Sequence, residues 1–442
     1  MGSPYLQKFA KTIFAVVAML LGVCVARADD LRNERFRMKS IAKTVAAEIG
    51  KNYYDPGLKG LNWNGLLEQA EQKIDNAKNV PDMFVAIYVM VDKLKDSHTH
   101  FLPPSVNVKL KYGFEAKAFG EDIRIYKIMP KQAAERAGLK VGDKVVALNG
   151  HGAERFSFDD MLLYYRVLHP LLAWDLVVQT GNEKPRNIRL EANREDKPIV
   201  LDIDRLSDFW DIILEEQSET EEERTYHTAN FDGGIGYIQV REFPGNASFL
   251  DGLADKVKDS KAVIIGLRGC PGGFVDTFKS FAGHFVGDST VLNKAVGRKK
   301  TEEVVAKPKK PYFSGPLFVL IDSRTGSAGE GFSGFFQSQK KAVVLGDASL
   351  GRLMTARYFP EEFGAEKIVY YGIQISTAKV VLPNGDEVEG KGVTPDAPCN
   401  PSGEDLREGR DICLDLAIAK AREALHLPPS EKKLPQLDSS IN

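Results

Sequence analysis

"PLFVLIDSRTGSAGEGFSGFFQSQ", residues 316–339, reads as three consecutive pieces. Leu317 to Ile321 is an unbroken apolar run of strand length, "DSRTG" is a short turn, and Phe332, Phe335 and Phe336 recur at helical spacing. A buried strand running through a tight turn into a helix is the repeating unit of an α/β fold. Ser327 falls at the helix N-terminus, where backbone amides and the helix dipole favour negative charge. Two readings of it stand side by side. With Glu330 three residues on, it forms the pattern of a capping box; with the Ala328 amide beside it, it is a nucleophile next to an oxyanion donor. The stretch alone does not separate them.

Working outward, "GIGYIQV", "KAVIIGLRG" and "AVVLGD" are further apolar runs alternating with helical segments, so the α/β core extends to about residue 426. "YIQVREF" reads as a core strand whose end, Arg241, borders the cleft. The acidic stretch "EEQSETEEER", 215–224, marks a boundary as a solvated linker or hairpin. Before it, from 112 to 203, the pattern is one of short strands: "EDIRIYKIM", "KVVALNG", "WDLVVQT" and "RNIRLEA". A short helix lies between the first two, with Gly138 as its C-cap and a turn at Gly142-Asp143. Residues 31–102 have apolar spacings of three and four and read as helical. They end at "KDSHTHFLPP", whose prolines stop regular structure and place His98 on a loop.

The chain has 442 residues, 43% hydrophobic and 27% charged, enough for two or three domains with their own cores. A formal net charge of −2 offers no basic surplus, so nucleic acid is not expected as a partner. Residues 1–28 carry Lys8 and Lys11, then "IFAVVAMLLGVCV", then Ala26, Arg27 and Ala28, the pattern of a cleaved secretory signal that leaves Asp29 first. An uncleaved anchor needs roughly twenty apolar residues, and lipidation at Cys24 would meet a bulky Val23. The expected location is the periplasm or the exterior, with no stable membrane insertion. There, Cys399 and Cys413 either pair, leaving Cys270 odd, or all three stay unbridged.

Two resemblances follow from these motifs. "AGLKVGDKVVALNG" is similar to an internal run of PDZ domains, which implies a carboxylate-binding loop at Tyr112, Gly113 and Phe114, ahead of a strand to which a peptide adds its own. "GLRGCPGG", "DSRTGSAGE" and "EVEGKGVTPD", in that order behind the PDZ-like segment, resemble the C-terminal processing (tail-specific) serine protease family. The likeness covers roughly residues 90 to 400. It implies a crotonase-like ββα core and a division into a signal peptide (1–28), an N-terminal helical region (29–104), a PDZ-like domain (105–204), a protease core (205–426) and a disordered tail (427–442). Ser327 would be the nucleophile, and Gly272 or Gly273 with Ala328 the oxyanion donors.

The better-known branch of that family uses a Lys as base, in a run equivalent to "ASLGRLMTA" here. Arg352 stands at the Lys position and Ala356 at that of a following Gln. A guanidinium stays protonated and does not serve as a base. "KDSHTHF" instead resembles the motif of the tricorn-like and retinoid-binding-protein-like branch. His98 would then be the general base, with Ser97 and Glu389 completing a Ser-His-Ser-Glu tetrad. Bland readings remain for several of these residues: His98 with His100 as a metal pair, Asp96 as a loop cap or a contact of His98, Cys270 as a packed side chain. The expectation is a serine endopeptidase acting near protein C-termini, without metal or organic cofactor and with homo-oligomerisation left open. A non-catalytic scaffold or ligand-binding protein on the same fold is the alternative, motivated by Arg352.

Overall fold

The computed structural model describes residues 31–104, 108–196, 226–364 and 368–429. The signal segment 1–28, the acidic stretch 215–224 and residues 430–442 of the tail lie outside the described residues.

A six-stranded sheet forms the centre, in the order His227–Phe231, Ile235–Gln239, Ala262–Gly266, Leu317–Ile321, Val343–Gly346 and Ala397–Pro398. The first pair is antiparallel and the others are parallel. Parallel strands are covered on both faces, which is why these runs are apolar throughout rather than alternating. Val263, Ile265, Val319 and Ile321 pack on one face in a core that includes Leu250, Phe278 and Phe332, from the helices Ala247–Val257, Val275–Ala282 and Ala328–Ser338. Ile264, Phe318 and Leu320 face the opposite way onto Leu414, Ala417 and Ile418 of the helix Ile412–Ala424. A disulfide between Cys399 and Cys413, with Cα atoms 5.6 Å apart, ties the last strand to that helix. It closes the pairing that the sequence left open.

A second sheet of five strands is antiparallel: His100–Leu102, Val369–Val381, Thr290–Gly297 and Thr301–Ala306 in order, with Met354–Phe363 paired to Val369–Val381. Sequence reading gave no hint of this sheet. Pro360, Glu361 and Glu362 interrupt the apolar pattern of one of its longest strands.

The N-terminal helices, at 31–52, Trp63–Asn76 and Val80–Asp92, bury Ile41, Val45, Ile49, Ile87 and Val91 against Tyr371, Ile373 and Ile375 of the second sheet. A boundary at 104 therefore cuts through shared structure: the strand His100–Leu102 pairs with Gly372 to Gln374, far along the chain. The expected N-terminal region is a wall of the core.

Residues 108–196 make a separate β unit whose main strands are Phe114–Phe119, Asp122–Ile128, Lys144–Leu148, Ala173–Gln179 and Arg186–Glu191. The helix Ala133–Arg136 ends ahead of Gly138, which has the left-handed φ of +75° that a C-cap glycine supplies. Lys117 reaches Asp322 at 2.8 Å and Arg155 reaches Asp347 at 2.7 Å, fastening this unit to the ends of two core strands.

Candidate active site

The strand Leu317–Ile321 delivers the chain to a turn tied by side chain and backbone alike. Thr325 Oγ1 accepts from the Asp322 amide at 2.9 Å and donates to the Leu267 carbonyl at 2.8 Å. The Gly326 amide donates to the Cys270 carbonyl at 2.8 Å, which locks this turn onto "GLRGCPGG". Ser327 follows with φ +47° and ψ −117°, a conformation that a non-glycine residue holds only at a cost of about 1–3 kcal/mol. Its amide is pinned by the Arg352 carbonyl at 2.7 Å and by Glu330 Oε2 at 3.1 Å. The pair keeps the outline of a capping box, but the hydroxyl makes no cap hydrogen bond. Ser327 Oγ instead lies 3.3 Å from His98 Nε2.

His98 sits just ahead of the strand His100–Leu102 and is almost wholly buried. Its Nδ1 is 2.8 Å from Ser97 Oγ, and Ser97 Oγ donates to Glu389 Oε2 at 2.8 Å. A hydroxyl has one proton. Once that proton goes to Glu389, Ser97 can only accept from Nδ1–H, and Nε2 is left with its lone pair toward Ser327. Glu389 is held by the Ser97 amide at 3.1 Å and the Leu353 amide at 2.9 Å. Burial pushes its carboxyl up, against the lowering effect of the Ser97 and Leu353 hydrogen bonds. Burial also pushes the His98 imidazole down to about 4, so it is neutral at physiological pH.

Asp96 takes both roles that the sequence left open. Its Oδ1 accepts from the His98 amide at 3.1 Å and from Thr99 Oγ1 at 2.8 Å, and its Oδ2 accepts from the Tyr53 hydroxyl at 2.9 Å. It shapes the loop and touches the backbone, not the ring, of His98. His100 is turned away, with Nε2 2.7 Å from the Ser97 carbonyl. No group of three or more His, Cys, Asp or Glu side chains able to hold a metal occurs among the described residues.

Gly272 and Gly273 have φ of +118° and +136°. A Cβ on Gly272 would stand 2.4 Å from Ser327 Cβ, so only glycine allows the two turns to meet. The Gly272 amide turns to the Cys270 sulfur. The amides of Gly273 and Ala328 have no acceptor among the described residues, and both residues border the cavity beside Ser327. Gly272 shapes the turn, and Gly273 with Ala328 is the donor pair left for an oxyanion. Cys270 is fully buried and burial pushes its thiol up to about 12, the state of an inert packed side chain.

Of the residues singled out in sequence, Arg241 alone is displaced from its expected place at the cleft. The Arg352 side chain turns to Asp160 at 2.9 Å, so it occupies the base position of the other branch without facing Ser327. Arg241 borders a different cavity, lined also by Lys117, Arg268 and Asp411. Tyr112 and Phe114 are buried, Tyr112 stacking on Trp174 at 3.6 Å between ring centroids. The strand edge beyond them is already engaged: Arg324 donates to the Ala116 carbonyl at 2.8 Å and Ser323 Oγ to that of Ala118 at 2.6 Å.

Sequence reading gave Glu330 only the role of a cap, but it is a hub. Ser349 Oγ (2.5 Å), the Gly351 amide (2.6 Å) and the Arg352 amide (2.8 Å) all donate to it besides Ser327. Full burial pushes its carboxyl up to about 7 despite these four donors. Its apolar surroundings, distant in sequence, carry no local signal.

A cavity of about 440 Å³ opens at Ser327, bordered by His98, Gly273 and Ala328 and walled by Phe278, Leu353 and Val380. Residues 234–399, which contain Ser327, Glu389 and the glycine turn, match peptidase family S41. The chain is 24% identical to the carboxyl-terminal-processing protease of Synechocystis sp., over 79% of this chain and 78% of that one. It is 23% identical to the chloroplastic carboxyl-terminal-processing peptidase 1 of Arabidopsis thaliana, over 73% of this chain and 64% of the relative. In fold it is similar to mature CPAF, with a TM-score of 0.65 at 11% identity, covering 89% of this chain and 98% of that one.

Proposed function

We propose that the chain, whose residues 234–399 match peptidase family S41, is a serine endopeptidase cleaving peptide bonds near protein C-termini through an acyl-enzyme. The observation that carries this reading is the unbroken line Ser327 Oγ, His98, Ser97, Glu389, each link between 2.8 and 3.3 Å. Ser327 Oγ attacks the scissile carbonyl while its proton passes to His98 Nε2. The charge that develops on the carbonyl oxygen meets the amides of Gly273 and Ala328 at a helix N-terminus. His98 then protonates the leaving amine. Water, deprotonated by the same nitrogen, releases the acyl group from Ser327.

The scaffold alternative rested on Arg352. It loses its ground when the base is His98, because the Arg352 side chain is then free to pair with the β unit. We assign residues 205–426 to a crotonase-like core and 105–204 to a PDZ-like unit. The latter would bind the substrate's end at the loop Tyr112, Gly113, Phe114 and the adjoining strand edge. Capture there requires Arg324 and Ser323 to give way. The disulfide supports an oxidising, extracytoplasmic location, in line with the leader-like residues 1–28. No helix of the described residues is long and apolar enough to cross a membrane.

The test is cleavage of an unfolded protein bearing an apolar C-terminal extension by residues 29–442, compared with Ser327→Ala and His98→Ala. Each substitution is expected to reduce kcat by about three orders of magnitude or more. Full activity of Ser327→Ala would overturn the mechanism. Absence of cleavage by the parent chain, with tail peptides still bound, would restore the scaffold reading.

A further inference from the structure

The cavity at Ser327 is mostly apolar, yet two amide side chains line it without a protein partner. Asn293 is 4% exposed and Gln374 6% exposed. Asn293 Oδ1 is fully buried and accepts no hydrogen bond, and the Gln374 side chain makes none to any described residue. Strand pairing sets Asn293 opposite Val304, and Ala295, two residues on, opposite Val380. Val304 and Val380 border the same cavity, so Asn293 belongs to its floor and not to a structural network elsewhere. Buried amides that satisfy no neighbour are uncommon, and folding alone gives no reason to keep one beside a nucleophile.

We propose that Asn293 and Gln374 are specificity-determining residues that read the substrate side chain supplying the scissile carbonyl, and that they select Gln or Asn there. This rests on the peptidase reading above and names its substrate preference. Asn293 Nδ2 can give an N–H to the carbonyl of such a side chain while Gln374 Oε1 takes one from its amide. An apolar side chain would leave both amide groups desolvated and unpaired, and discrimination of this kind is steep because the site itself bears the penalty. An ionised side chain would enter without a buried counter-charge: the charged groups that line the cavity besides His98, Asp276 and Arg357, are exposed.

The experiment uses the full chain as Ser327→Ala and end-blocked alanine-based peptides with one central Gln, Met or Glu. Binding is read by fluorescence anisotropy, and cut sites in the parent chain by mass spectrometry. The Gln peptide is expected to bind at least about tenfold more tightly than the isosteric Met peptide, the effect of one buried hydrogen-bonding group left unpaired. Asn293→Leu should erase that ratio, and the parent chain should cut after Gln. If Asn293→Leu does not fold, Gln374→Met carries the same expectation. Equal binding of Gln and Met peptides, or a ratio unchanged in these variants, overturns the proposal. Discrimination by Ser327→Ala with no cleavage by the parent chain would leave the side-chain reading in place and sink the peptidase reading instead.

Discussion

Ser327 meets His98 because its backbone is held where a serine does not go unaided. The Arg352 carbonyl and Glu330 take its amide, and the hydroxyl is thereby turned off the helix axis toward Nε2. Burial sets the protonation of both neighbours. Because His98 is depressed to about 4, it remains a base well below the ordinary imidazole range; the acid limb of kcat/KM should therefore fall near pH 4 to 5, not near 6.5. A limb at about 6.5 would mean that the working base is a solvated imidazole. Glu330 has the opposite shift. With its folded value raised to about 7, the unfolded chain releases this proton first, so its contribution to stability declines as pH rises from about 4.5 to 7. Glu330→Gln should flatten that slope in thermal melts across pH, and should cut kcat at least about tenfold, because its amide NH2 would face the two donors that meet one of the carboxylate oxygens. The serine, the histidine and Glu389 were legible in sequence by resemblance to known motifs. The hub role of Glu330 was not, since its partners at 349 to 352 become neighbours only when the core closes.

At the scale of elements, two glycines separate geometry from composition. Gly272 has φ +118° and no room for a Cβ beside Ser327 and the Ala328 amide, so Gly272→Ala should cost about 1–3 kcal/mol from the backbone alone and abolish turnover. Gly252, inside the helix Ala247–Val257, has nothing within 4 Å of an added Cβ; Gly252→Ala should raise stability by up to about 1 kcal/mol and leave kcat unchanged. Chemical denaturation of both variants checks the pair, and similar shifts for the two would refute the steric account. The parallel strands were legible because burial on both faces writes a continuous apolar run. The antiparallel sheet was not: Val369–Val381 serves the N-terminal helices along one stretch and the central core along another, so no single period describes it. Its pairing with His100–Leu102 is what brings His98 to the site, a consequence of register that no local pattern carries.

The β unit and the core share more than a seam. Arg324 and Ser323, three and four residues before Ser327, hold the carbonyls of Ala116 and Ala118 on the strand edge that a peptide would need. Arg324 also donates to the Tyr126 hydroxyl at 3.0 Å, and Arg352, whose carbonyl pins Ser327, pairs with Asp160 of the same unit. A chain end adding to Phe114–Phe119 would therefore compete with the very turn that presents Ser327. Removing the guanidinium should favour the peptide and disfavour the turn. Arg324→Ala is expected to bind a labelled apolar peptide with a free C-terminal carboxylate up to about tenfold more tightly, the value of one charge-assisted hydrogen bond no longer displaced, while its kcat falls. Arg324→Lys keeps the charge without the planar fork and should lie between the two. Anisotropy titrations and turnover on the same preparations test both halves. If affinity is unchanged while kcat falls, the peptide does not use this edge and Arg324 serves only to hold the turn; if both are unchanged, the contact is an idle one, and the coupling between the β unit and Ser327 must run through Arg352 and Asp160.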